Sequence, residues 1–198
     1  MTGPTTARLA FTLAAVFAAG AAVGDEPAST PRREIPKEKR TTLRLYLTAK
    51  EAYEKWKADP KKVKVLDVRT PEEYVFVGHA EMAWNIPLAL QTYQWVAGKK
   101  ELAVRPNAEF VTRVKEWAKP GDTILVMCRS GGRSAMAVNA LAEAGFTNVH
   151  NIVDGMEGDT VEDPDSAFFG KRMKNGWKNA GLPWTYDLEP EQMRLPKP

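Results

Sequence analysis

Cysteine and histidine are nearly absent from this chain: 198 residues hold one of the former and two of the latter. That scarcity excludes several chemistries. A structural zinc site needs about four nitrogen or sulfur ligands, and Cys128, His79 and His150 cannot fill it. A thiol oxidoreductase wants a resolving cysteine, and there is none. No metal and no cofactor are expected. Charge of one sign is also lacking. Lys and Arg number 28 against 25 Asp and Glu, a net +3, which argues against nucleic acid because its binders carry basic patches. No internal repeat is visible. From Asp154 to Asp165 there are six acids and no base, but their spacing does not match a calcium loop and reads as a solvated acidic segment.

What is present concentrates around Cys128. Ile124-Leu125-Val126-Met127 is a short apolar run and reads as a buried strand. Ser134 to Ala144 reads as a helix stopped by Gly145. Between them lies Cys128-Arg129-Ser130-Gly131-Gly132-Arg133. Adjacent glycines let successive amides turn inward, and such a concave ring of donors holds anions. A helix terminus alone contributes only ~0.3–1 kcal/mol. The loop amides, Arg129 and Arg133 must therefore supply most of the stabilisation of an anionic sulfur. A free buried cysteine usually acts as a small hydrophobe; a glycine pair flanked by arginines fits that role poorly.

This loop resembles the Cys-x-x-Gly-x-Arg active-site loop of the rhodaneses, a sulfurtransferase family. Val65-Leu66-Asp67-Val68-Arg69-Thr70-Pro71-Glu72-Glu73-Tyr74 resembles its first signature. Gly78-His79-Ala80 with Asn85-Ile86-Pro87, and Gly145-Phe146 through Asp154-Gly155-Met156, resemble two further segments in order. Glu81-Met82-Ala83-Trp84 departs from the usual small pair before Asn-Ile-Pro. The resemblance runs from about Leu43 to Gly158. It implies that Cys128 attacks a sulfane-sulfur donor and becomes a persulfide, from which a thiol or cyanide acceptor takes the outer sulfur. It implies that Arg129 and Arg133, with the amides of Ser130, Gly131 and Gly132, hold a small anionic donor such as thiosulfate. Ser130 either adds a hydroxyl or serves only the turn. A cysteine phosphatase has five residues between Cys and Arg, whereas four separate Cys128 and Arg133.

The remaining signals set the organisation. Thr48 to Glu51 and Thr70 to Glu73 read as capping boxes, the second with Pro71 at the first helical position. Val63 to Val68 reads as a strand between two helices. Phe110, Val114, Trp117 and Ala118 share a helical face, and Gly121 is expected to end that helix. Strands alternating with helices predict an α/β, rhodanese-like fold: a central parallel β-sheet with helices on both faces. Asp67 and Arg69 then fall at the ligand-binding edge of the sheet, where they either line the site or pair and support it. His79 in its Gly-His context reads as a structural hydrogen bonder.

Leu9 to Val23 is a fifteen-residue apolar run after Arg8. It is short for a membrane span and reads as a secretory signal over residues 1–24, cut near Gly24 or after Ala21. The alternative is an uncleaved anchor. Residues 25–42 read as a charged, proline-rich linker, or alternatively a basic docking arm. The resemblance implies a rhodanese domain over residues 43–158, with 159–198 an extension expected to pack on it as a short helix and an extended tail. The expected protein is periplasmic, has no stable membrane insertion after cleavage, and meets a small anionic sulfur donor and a thiol or cyanide acceptor. The competing expectation is an exported, non-enzymatic sulfur carrier that docks onto an exported redox protein.

Overall fold

The computed structural model describes residues 1–3 and 34–195. The export signal expected over 1–24 lies outside the described residues beyond Gly3, as do residues 25–33 of the expected linker.

From Glu34 onward the chain runs β1 (Tyr46–Leu47), α1 (Ala49–Ala58), β2 (Val63–Asp67), α2 (Pro71–Val77), β3 (His79–Ala80) and β4 (Ala83–Asn85). It continues with β5 (Ala89–Trp95), β6 (Leu102–Pro106), α3 (Phe110–Trp117), β7 (Thr123–Met127), α4 (Gly132–Glu143), β8 (Val149–Ile152) and β9 (Trp184–Thr185). Five strands form one parallel sheet in the order β1-β8-β7-β2-β4. Successive side chains of a strand point to opposite faces, so a strand covered on both sides must be apolar throughout. β7, with Ile124, Leu125, Val126 and Met127 all buried, meets that demand. Leu66, Ile124 and Val126 join Phe110 and Val114 of α3 and Ala137, Val138 and Leu141 of α4 on one face. Val65, Leu125 and Met127 join Ala49 and Ala52 of α1 on the other. The expected parallel sheet with helices on both faces is thus observed.

Both capping boxes form. The Thr48 and Thr70 hydroxyls accept from the amides of Glu51 and Glu73, whose carboxylates accept from the two threonine amides. α3 ends at Trp117, with Ala118 as its extended cap, ahead of the expected stop at Gly121, because Pro120 disfavours helical backbone at the residue before it. α4 begins at Gly132, two residues ahead of the expected Ser134, because Gly131 adopts a left-handed φ of 96° and serves as the N-cap.

Three stretches differ from the sequence expectation. Residues 37–42, taken as linker, pack on the domain. Lys37–Lys39 is a 3-10 helix. Lys39 is buried and its ammonium pairs with Asp159 at 2.7 Å, and the Thr42 amide donates to Asn139. Charge composition alone does not show that an ion-pair partner waits 120 residues away. The extension contains no α-helix among its described residues; turns dominate, with one 3-10 helix at Pro190–Gln192. It is nonetheless part of the core. Trp177 is fully buried in the α1-side cluster, and its indole donates to the Pro183 carbonyl at 2.8 Å. β9 pairs antiparallel with β3, and the Arg194 amide donates to the carbonyl of Asn85, the last residue of β4. Finally, β5 and β6 form a separate antiparallel hairpin with a bulge between Gln91 and Trp95, an element with no expectation in the sequence reading.

Candidate active site

Cys128 follows directly on β7, at the carboxyl edge of the sheet where open α/β folds bind ligands. It is 2% exposed. The Gly131 amide donates to its Sγ at 3.2 Å, which the left-handed backbone at Gly131 makes possible. Two carbonyls of the loop are fixed from beneath. The Met156 amide donates to the Cys128 carbonyl at 2.8 Å, and the amides of Glu157 and Gly158 donate to that of Arg129. These donors come from the turn that follows β8, so the Asp-Gly-Met segment is the bed on which the loop lies. Gly155 packs so closely there that a Cβ would stand 2.6 Å from the Cys128 carbonyl oxygen.

Two residues missed in the sequence reading support the sulfur, Ser134 directly and Asn151 through it. Ser134 Oγ lies 3.4 Å from Sγ and 2.7 Å from Asn151 Oδ1. The Asn151 amide nitrogen donates to the carbonyls of Lys39 and Gly131, so its oxygen is the group free to accept. The single hydroxyl proton of Ser134 thus has two acceptors. With Sγ protonated, the thiol donates to Ser134 Oγ and the hydroxyl donates to Asn151. With Sγ anionic, the hydroxyl turns to the sulfur. Ser134 lies in the first turn of α4, but only the tertiary placement of β8 reveals Asn151. Removing one such bond to a charged acceptor costs about 1 kcal/mol, given its length. Ser134→Ala is therefore expected to slow single-turnover sulfur loading about fivefold; an unchanged loading rate contradicts a hydroxyl that turns to the sulfur.

The expected donor set is otherwise redistributed. Among the described residues, the Gly131 amide and Ser134 hydroxyl are the donors bonded to Sγ; neither Ser130 nor Gly132 is. Arg133, expected to hold the substrate, forms a bidentate pair with Glu73, both contacts at 2.6 Å. The reason is local. Glu73 is held at the start of α2 by its own capping box, and that places its carboxylate against the loop. Burial pushes the Glu73 carboxyl up, but the Arg133 hydrogen bonds and charge outweigh it and leave it below the ordinary glutamate value. Burial likewise works against the Arg133 cation, and Glu73 more than restores it, with a further contribution from Cys128. Arg129 is exposed, and its side chain has no hydrogen-bond or ion-pair partner among the described residues.

Asp67 and Arg69 pair with each other, both fully buried, at 2.6 Å. Arg69 also donates to the Gly78 carbonyl, and Asn85 donates to the carbonyls of Asp67 and Arg69. They brace the edge of the sheet, and neither bonds the loop sulfur. His79 is buried and stacked on Tyr74 with centroids 3.7 Å apart. Burial lowers its pKa, and its Nδ1 lies against the Tyr74 carbonyl, a structural setting.

Beside the loop opens a cleft of about 580 Å³. Arg129, Arg133, Thr70, Glu72 and Glu73 form one side, and the β5–β6 hairpin forms the other. Cys128 itself is not on its lining, although the neighbouring Arg129 is.

Comparisons with known proteins establish the family. Residues 48–160 match the model of the rhodanese-like domain, and the chain belongs to that family. Thiosulfate sulfurtransferase 16, chloroplastic, from Arabidopsis thaliana is 40% identical over 90 residues, covering 46% of this chain and 68% of the relative. Thiosulfate sulfurtransferase 18 from the same plant is 41% identical over 92 residues, covering 46% of this chain and 61% of that protein. The chain therefore spans roughly two thirds of these relatives' length. A crystal structure of Rv0390 from M. tuberculosis superposes with a TM-score of 0.56 at 26% identity, covering 71% of this chain and 96% of that one. The chain thus carries a rhodanese-like domain with sulfurtransferases among its relatives.

Proposed function

We propose that this protein is an exported rhodanese-type sulfurtransferase that carries sulfane sulfur on Cys128. The observation that carries the proposal is the placement of Sγ at the end of β7, bonded by the Gly131 amide within a loop of the rhodanese pattern. The thiolate attacks the outer sulfur of thiosulfate or of a donor persulfide. A new bond forms at Sγ, the donor's S–S bond breaks, and sulfite or the donor thiolate leaves with the electron pair. A thiol or cyanide then attacks the outer sulfur, and Cys128 departs as thiolate, a covalent two-step cycle. Gly131 and Ser134 stabilise the sulfur anion in both resting forms, and Arg129 receives the negative donor. The apolar run from Leu9 to Val23, read as an export signal, supports a periplasmic setting, where a lone thiol implies a reactive role.

Thiocyanate formation from thiosulfate and cyanide tests the reading. The wild type is expected to turn over and Cys128→Ser to be inactive; turnover by the serine variant refutes it. A carrier that only docks is the second reading. Its support is the exposed Phe168, Phe169 and Met173 of the extension. A persulfide that forms without turnover on small acceptors would favour it.

A further inference from the structure

Asn151 is fully buried on β8, and its amide nitrogen donates to two carbonyls, Lys39 at 3.0 Å and Gly131 at 3.1 Å. The Lys39 carbonyl is itself anchored. The Lys39 ammonium pairs with Asp159, whose carboxylate also accepts from Asn175. This clamp fixes the plane of the Asn151 amide and aims Oδ1 at Ser134 Oγ, 2.7 Å away. Sγ stands 3.4 Å from the same hydroxyl. With one proton between two acceptors, the state of the sulfur decides where the proton points. A thiolate competes well, since charge-assisted hydrogen bonds are roughly twice as strong as neutral ones. A persulfide does not. Its Sγ is a neutral divalent sulfur, a weak acceptor, and the charge has moved one atom outward. The Ser134 hydroxyl then belongs to Asn151, at an ordinary O–H···O length.

We propose that Asn151 is a positioning residue that holds the Ser134 hydroxyl off Sγ in the loaded protein and so slows discharge of the persulfide. This deepens the sulfurtransferase reading above and rests on it. When cyanide discharges the persulfide, its carbon forms a bond to the outer sulfur and the S–S bond breaks. The electron pair of that bond goes to Sγ, and thiocyanate leaves. No oxidant or reductant is consumed. Charge grows on Sγ in this step, so the hydroxyl must swing from Asn151 to the sulfur. Removing the Asn151 acceptor leaves the loaded state with a buried, unpaired hydroxyl, which raises its energy. The transition state, in which the hydroxyl already turns to Sγ, loses less. Discharge therefore quickens. Removing the hydroxyl has the opposite effect, because the departing thiolate loses a donor.

The test is a single turnover. Each protein is loaded with thiosulfate, freed of excess donor and mixed with cyanide, and thiocyanate release is timed. Asn151→Val suits a strand and carries no acceptor. It is expected to release thiocyanate about fivefold faster than wild type, and Ser134→Ala about fivefold slower. Asn151→Ala carries the same expectation as the valine variant. Asn151→Asp keeps an acceptor oxygen and is expected to stay within about twofold of wild type. In the Ser134→Ala background, Asn151→Val is expected to change nothing further, because its effect travels through the hydroxyl. A loop merely loosened would slow discharge in every Asn151 variant. Discharge no faster than wild type in both apolar variants overturns the inference. So does an aspartate variant as fast as they are, or failure of both apolar variants to load when wild type loads. If wild type neither loads nor releases thiocyanate, the sulfurtransferase reading falls as well.

Discussion

Gly131→Ala is expected to destabilise the protein by about 2–5 kcal/mol and to abolish sulfur loading. Two effects add. Gly131 has φ of 96°, and a left-handed backbone costs a side-chain-bearing residue roughly 1–2 kcal/mol. A Cβ would also stand 2.2 Å from the Val153 carbonyl oxygen. That contact is with backbone, which no rotamer change relieves, and overpacking of this kind costs about 1–3 kcal/mol. Relief requires the loop to lift from the turn after β8, which removes the amide from Sγ. Gly145 provides the control. It has nearly the same φ, 95°, but open space where a Cβ would go, so Gly145→Ala is expected to show only the conformational part. Urea denaturation of the two variants separates the clash from the dihedral. Equal midpoints, with normal sulfur loading by Gly131→Ala, would contradict the close approach.

Glu73→Gln is expected to be the next most damaging change. Glutamine keeps the capping geometry, since a capping box accepts either residue, so the substitution isolates the pair with Arg133. The side chains are 23% and 29% exposed, between the surface case of ~0–1 kcal/mol and the buried case of ~3–5 kcal/mol. A loss of about 2 kcal/mol is expected. Arg133 then loses its anchor, and loading at Cys128 is expected to slow about tenfold as the loop loosens. The pair also dictates an acid limb. Because the folded Glu73 carboxyl is held below its ordinary value of 4.5, its contribution is fully present above that value. It is lost as pH falls through the lower folded value. Wild-type denaturation midpoints should therefore drop on acidification from about pH 5, more steeply than those of Glu73→Gln. Parallel acid limbs would mean that the pair contributes nothing.

These two residues mark how much of the site the chain discloses. The Cys128 loop, the two capping boxes and the strands at Val63 and Ile124 are local patterns, and the structure places them as the spacing implies. Arg133 shows the limit. Its charge and spacing point to a substrate ligand, yet a carboxylate 60 residues earlier takes it. The same holds for Asn151, which orients Ser134 from a neighbouring strand, and for Lys39, which finds Asp159. Each of these depends on which strands lie side by side, and period and composition do not encode that order. That Trp177 completes the core beside α1 is likewise a matter of tertiary packing and not of local pattern. The β5–β6 hairpin carries no turn signal in a single sequence beyond Ala97-Gly98, and its bulge disrupts the alternation that would have betrayed it.

Intact-mass and peptide mass spectrometry of the protein after thiosulfate treatment tests the central claim most directly. The account predicts one added sulfur atom on the peptide bearing Cys128, removed by cyanide with release of one equivalent of thiocyanate. A wild-type protein that gains no sulfur, or a Cys128→Ser variant that gains it equally, would contradict the account.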